Sequence, residues 1–217
     1  MKRWVLLSAL LVLALAAPFE APKPGADSPL PTVDNRGPRG LAVLATWLRE
    51  SGREVRVIDG EIPREIKTVV LAAPSADEFS EAEVEPLRRF VEAGGTLVYL
   101  VPRQAPQAAL NRWLGVATGA LAPLNDEPGV TDVGGSTVTV SGVPGIHTLR
   151  VSAERTLDVQ DAVQVAEHGV LLTRDLGDGR VWLSAGADLA ENARLELADN
   201  ARFWSRLPAP IAFDEPH

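Results

Sequence analysis

The chain contains no cysteine. That single absence excludes disulfides, thiolate nucleophiles and cysteine-ligated zinc, and it suits an oxidising compartment, where a stray thiol is a liability. Histidine is scarce: only His147, His168 and His217 occur. Two of them sit beside turn glycines and read as solvated loop residues. There is no G-x-S-x-G elbow, no Walker loop, no G-x-G-x-x-G and no H-E-x-x-H. A serine hydrolase needs a base beside an activated serine, and no local arrangement supplies one. No cofactor is expected.

Clustered positive charge is missing as well. The formal net charge is -8, from 21 basic and 29 acidic residues. An acidic surface with scattered Lys and Arg argues against nucleic acid as a partner, and no basic block marks an electrostatic lipid-binding patch. The apolar fraction is 46% and the charged fraction 23%, near the globular average, so wholesale disorder is excluded.

What is present begins with Met1-Lys2-Arg3 and the apolar run Trp4 to Ala17, interrupted by Ser8. As a helix this run spans roughly 21 Å, short of the roughly 30 Å hydrocarbon core. Length favours a secretory signal peptide, with Ala14-Leu15-Ala16 as the small residues of a cleavage site. A short uncleaved anchor is the rival, with Lys2 and Arg3 snorkelling and Trp4 at the interface. Either reading places the rest of the chain across the cell membrane or outside the cell, because the positive end stays inside. Residues 18–33 carry Pro18, Pro22, Pro24, Pro29 and Pro31 and are expected to form an extended spacer. Residues 34–217 are expected to form a single domain.

In that domain, the stretch from Pro38 to Gly52 predicts an amphipathic helix with a glycine stop. Val55 to Ile58, Thr68 to Ala73 and Thr96 to Val101 read as strands. Ser80 and Glu83 form a capping box opening a helix in which Pro86 removes one ladder bond. Gln104 to Leu114 reads as another helix. This alternation predicts an α/β fold: a parallel-sheet, Rossmann/flavodoxin-like layer with right-handed crossovers. Residues 116–135 read as a long loop. An additional β-rich section follows, with strands at Thr137 to Ser141, Ile146 to Ser152 and Ala162 to Ala166. A hairpin joins Val170 to Arg174 and Arg180 to Ser184. A long helix is expected from Asp188, paired with Glu191 in its cap, to about Leu207, and a short strand at Ile211 to Phe213.

In an open parallel sheet, ligands settle at the carboxyl ends of the strands. Those positions are Ser75, Arg103 and Asp188, the candidate ligand-binding residues. The loop Asp175 to Gly179 has oxygen ligands for a cation, but a tight turn wants the same residues for backbone reasons. Asp199-Asn200 is expected to cap or pack against a neighbouring loop. Asp214-Glu215-Pro216-His217 has metal-ligand residue types at the chain end, with no second cluster to complete a site.

Several stretches, taken in order, resemble the bacterial family called domain of unknown function 4350. These are Asn35 with Gly37-Pro38-Arg39-Gly40; Val69-Val70-Leu71-Ala72-Ala73-Pro74; Phe90-Val91-Glu92-Ala93-Gly94-Gly95-Thr96-Leu97-Val98; Gly177 to Asp188; Asp199-Asn200-Ala201-Arg202-Phe203; and Ile211-Ala212-Phe213-Asp214-Glu215. The resemblance implies a fold similar to class I glutamine amidotransferase-like domains without their catalytic cysteine. It also implies membrane association, often with a second transmembrane helix after the acidic pair, and a setting near MoxR-type ATPases and other envelope proteins. Two functional expectations follow. One is a non-catalytic extracytoplasmic domain that binds a protein partner or small ligand. The other is an enzyme using carboxylates, with or without a metal, around Asp188, Asp199 or Asp214. A purely structural envelope module is a third.

Overall fold

The computed structural model describes residues 30–72, 79–102, 107–118, 136–151 and 156–215. The leader, most of the expected spacer, Ser75 and Arg103 lie outside the described residues. Where the spacer meets the domain, Pro31, Thr32 and Val33 are already buried.

Helix α1 (Ala42–Glu50) buries Leu44, Ala45 and Leu48 on one face, the stripe its apolar spacing predicts. Strands β1 (Val55–Ile58), β2 (Thr68–Ala72) and β3 (Thr96–Leu100) follow, with helix α2 (Glu81–Glu92) between β2 and β3. The capping box is present: Ser80 N–H donates to Glu83 Oε2 at 2.8 Å, and Glu83 N–H donates to Ser80 Oγ at 3.3 Å. Pro86 lies inside a helix that stays continuous; the bond it forfeits is the one to the carbonyl four residues back. Helix α3 (Ala108–Leu114) ends on left-handed Gly115.

The main sheet has seven strands in the order β1-β11-β2-β3-β10-β9-β8, with β8 (Val163–Gln164), β9 (Leu171–Leu176), β10 (Gly179–Ser184) and β11 (Ile211–Asp214). The first five run parallel; β9 and β8 are antiparallel additions at one edge. The expected parallel layer is therefore present, extended by antiparallel strands. The last strand enters between the first two, pairing Ile211 with both Val55 and Thr68.

Period-two alternation divides the core. Val70, Ala72, Val98, Leu100, Ile211 and Phe213 face α1 and helix α4 (Asn200–Arg206), while Val69, Leu71, Leu97, Tyr99 and Ala212 face α2 and α3. Two small antiparallel ladders flank the sheet: β4 (Val116–Thr118) with β7 (Leu157–Val159), and β5 (Ser136–Thr139) with β6 (Thr148–Val151). Strand β4 replaces the start of the expected long loop, whose remainder lies outside the described residues, and β7 was not anticipated.

The β9–β10 hairpin turns through Gly177-Asp178. Gly177 has φ +58°, a left-handed conformation that suits glycine at the first turn position. The turn docks on the end of α2: Asp178 N–H donates to the Glu92 carbonyl at 3.1 Å. A Cβ on Gly179 would lie 2.0 Å from the Val91 carbonyl oxygen, so no other residue fits there without moving that helix end.

The long helix expected from Asp188 to Leu207 is a correction. Only a 3-10 turn at Ala187–Leu189 and α4 are helical; the segment between is a chain of turns, with Ala198 at φ +51°. Its apolar stripe reads as helical, but its polar side chains are committed elsewhere. Asn192 bonds to the Asn35 and Gly37 carbonyls, and Trp204 Nε1–H donates to the Leu189 carbonyl at 2.8 Å. Tertiary hydrogen bonds override local propensity here.

Candidate functional site

Five parallel strands end on one rim of the sheet, and the segment 187–199, which carries the chain from the end of β10 to α4, passes the start of α1. Asn192 joins the two. Its Oδ1 accepts Val43 N–H at 2.8 Å, and its Nδ2 donates to the Asn35 carbonyl at 3.0 Å and the Gly37 carbonyl at 2.7 Å. Asn35 is fully buried; its carbonyl accepts Ala42 N–H at 3.2 Å, and its Oδ1 accepts Gly37 N–H at 2.8 Å. Gly40 packs directly on this knot, since a Cβ there would lie 1.8 Å from the Asn35 oxygen. The first N–H groups of a helix at such a rim usually form an anion cradle. In this chain Asn35 and Asn192 fill that cradle from within.

Asp188 lies on the same rim and is buried, 3% exposed. Its Oδ1 is 3.5 Å from Arg194 Nε, and Glu191 Oε2 is 3.7 Å from the same nitrogen. Two carboxylates thus share one guanidinium at long ion-pair distances. Arg194 Nη1 is buried without a hydrogen-bond partner. Of the three candidate residues, Asp188 is the one that can be placed; Ser75 and Arg103 fall outside the described residues.

The other carboxylates singled out in the sequence sit elsewhere. Asp199 Oδ2 accepts the His147 and Thr148 N–H groups at 2.9 and 3.2 Å, which holds its carboxyl below the usual range, with Arg202 adding to the effect. Asn200 pairs with both backbone groups of Arg150 at 2.9 Å and with the Arg194 carbonyl at 3.0 Å. The Asp199-Asn200 pair therefore packs on strand β6 and the residue before it, where a neighbouring loop was expected. Asp214 Oδ1 accepts Gly60 N–H at 3.2 Å, and Glu215 accepts Val33 N–H. Burial pushes the Glu215 carboxyl up, with Asp34 contributing. Asp214 and Asp188 leave the sheet three strands apart, roughly 14 Å at the usual strand spacing. Among the described residues no group of three or more His, Asp or Glu side chains is placed to hold a metal ion. Asp175 in the hairpin is spent on Arg180, Oδ1 to Nε 2.7 Å, which keeps its carboxyl low.

Two open grooves reach the opposite rim, at the amino ends of the strands. One, about 450 Å³, lies between the hairpin and the end of α4, with Asp175, Arg180, Trp182 and Arg206 on its walls. The larger, about 810 Å³, lies between the connection 59–67 and the last turns of α2. Sequence reasoning looked only to the carboxyl rim and missed both. The available signal was the short connection between β1 and β2, which leaves no room for a covering helix.

These features define a mixed α/β protein with a mostly parallel sheet; among the described residues of its carboxyl rim, the first N–H groups of α1 are taken by Asn35 and Asn192, and Asp188 is buried beside Arg194. The chain belongs to the family described as domain of unknown function (DUF4350), whose profile matches residues 33–207. No curated protein sequence matches. Among solved structures, the mmIFT52 N-terminal domain is similar with TM-score 0.61 at 17% identity, covering 80% of this chain and 89% of that one. It shares the fold. An exo-β-1,4-mannosidase from Opitutaceae bacterium strain TAV5 gives TM-score 0.48 at 15% identity, over 78% of this chain and 29% of the enzyme. A β-galactosidase from Bacillus circulans sp. alkalophilus gives 0.39 at 18%, over 56% of this chain and 20% of the enzyme. Among the described residues no helix is long and apolar enough to cross a membrane; the expected leader lies outside them.

Proposed function

We propose that this protein is a non-catalytic extracytoplasmic domain, tethered to or exported across the membrane by its N-terminal segment, which binds a protein partner in an envelope assembly. The observation that carries the reading is the partnered start of α1 on the described part of the carboxyl rim. Where a doubly wound sheet normally receives a phosphate or a substrate, Asn192 and Asn35 occupy the helix N–H groups, and Asp188 is committed to Arg194. The three-strand separation of Asp188 from Asp214 also supports this reading over joint carboxylate chemistry, which needs both groups in one cleft.

The amidotransferase-like form of the fold and a MoxR-type ATPase as neighbour belong to the same proposal. An amidotransferase-like layer lacking the nucleophilic cysteine keeps a rigid scaffold with no means of thiol chemistry. Affinity capture of the membrane-solubilised full-length protein tests the proposal. Recovery of a stoichiometric envelope or ATPase partner is the expected result. A monomer carrying a tightly bound metal or small molecule would overturn it.

A further inference from the structure

Parallel neighbours in an α/β sheet are normally joined by a covering helix, which takes a dozen or more residues. Here the connection 59–67 returns from β1 to β2 as an irregular segment, while β11 fills the space between those strands. It covers the sheet thinly and leaves a groove of about 810 Å³ against α2.

The floor of this groove is apolar. Ile66 is buried, and Ile62 and Phe90 are half-buried in the same core cluster. The Phe90 ring packs against Gly95, where an added Cβ would lie 2.5 Å from ring carbons, and forms part of the floor. The rim is cationic. Arg64 and Lys67 are exposed and make no ion pair with any described residue. Arg89 is only 3.8 Å from Glu85 across one helical turn. Glu61 is the single carboxylate among the described lining residues. In a chain of net charge -8, this is a local reversal of sign around an apolar cleft.

We infer that this groove docks an acidic, apolar-studded peptide segment of a partner protein. The inference rests on the partner-binding reading and names where and by what chemistry the partner is held. Apolar side chains enter between Ile62 and Phe90, and flanking carboxylates meet Arg64, Lys67 and Arg89. An anionic membrane surface has the same charge, but a concave groove does not fit a plane, and the overall negative charge of the chain opposes approach to anionic lipid.

The test uses the full-length chain in detergent and a short fluorescent peptide in which leucine and glutamate alternate, read by anisotropy. Its lysine-for-glutamate counterpart and phosphatidylglycerol vesicles serve as the other arms. The acidic peptide is expected to bind with an affinity that falls as salt rises, and the lysine peptide not to bind. The double variant Arg64→Glu with Lys67→Glu is expected to weaken binding by about tenfold. Both residues are exposed, so its melting temperature should match the parent, and Arg206→Glu in the neighbouring cleft should bind as the parent does. Equal binding of the two peptides, an unaffected double variant, or uptake by vesicles through these residues in place of the peptide would overturn the inference. If the double variant still captures the partner from membranes, the groove assignment fails while the partner reading stands. If neither form captures anything, the partner reading fails, and the peptide titration still decides the groove.

Discussion

Asn200 is fully buried at the start of α4 and ties that helix to β6 by treating the Arg150 backbone as a sheet neighbour would: Oδ1 accepts Arg150 N–H, and Nδ2 donates to the Arg150 carbonyl, both at 2.9 Å. A third bond, 3.0 Å long, reaches the Arg194 carbonyl. Asn200→Ala strands one donor and two acceptors. A typical net worth of about 1 kcal/mol per bond, more where the abandoned group stays buried, puts the loss at about 3 kcal/mol. At roughly 2–4 °C per kcal/mol for a domain of this size, the melting temperature should fall by about 6–12 °C. Asn200→Asp keeps the shape and the acceptor but turns a carboxylate toward two carbonyl oxygens. It should be worse than alanine at pH 7.5 and should recover at pH 5, where a carboxyl raised by burial and repulsion takes up a proton. Urea unfolding followed by tryptophan fluorescence measures all three forms, with Trp204 as a reporter in α4. An alanine variant within 1 kcal/mol of the parent, or an aspartate variant with no pH dependence beyond the parent's, would refute this account of how the β-rich section is attached.

Other expectations follow from the same structure. The Asp199 carboxyl is held low by the His147 and Thr148 N–H groups, so its contribution is full above its unfolded pKa and is lost as pH falls through the folded value. Asp199→Asn should therefore flatten the fall in urea midpoint on acidification. Glu215 has the opposite sign: burial raises its pKa, so its ionised form opposes folding above that value. Glu215→Gln, which still accepts from Val33, should raise the urea midpoint at pH 7.5 and change little at pH 4. Gly179→Ala forces a Cβ into the Val91 carbonyl at 2.0 Å and should cost several kcal/mol, about 2–4 by analogy with other severe backbone clashes; a calorimetric melt within 2 °C of the parent would be incompatible with the hairpin docking described.

Much of the scaffold was legible because its signals are local. Val55 to Ile58 is a strand with the expected ends, and Ser80 with Glu83 opens α2 by a mechanism readable from two letters. The β9–β10 hairpin was announced by its glycines. What could not be read was set by distant partners. The 190s keep a helical apolar stripe, yet Asn192 reaches to the Asn35 and Gly37 carbonyls, and a helix would withdraw it. Strand β7 exists because β4 lies beside it, a pairing no short window contains. Asp188 lies at the predicted rim, buried beside Arg194 Nε at 3.5 Å. The Asn35–Asn192 knot was missed because its halves are far apart in the chain, though Asn35 and Gly40 were noticed as a pattern.

The central claim is that the protein acts by holding a partner and not by turning over a substrate. The mass of the full-length protein, recovered from its native cells in mild detergent and read by native mass spectrometry, tests this most directly. The account predicts a defined complex with a second protein, weakened by salt and by the Arg64→Glu, Lys67→Glu double variant. A species at the mass of this chain alone, carrying a bound metal or small molecule, would contradict it.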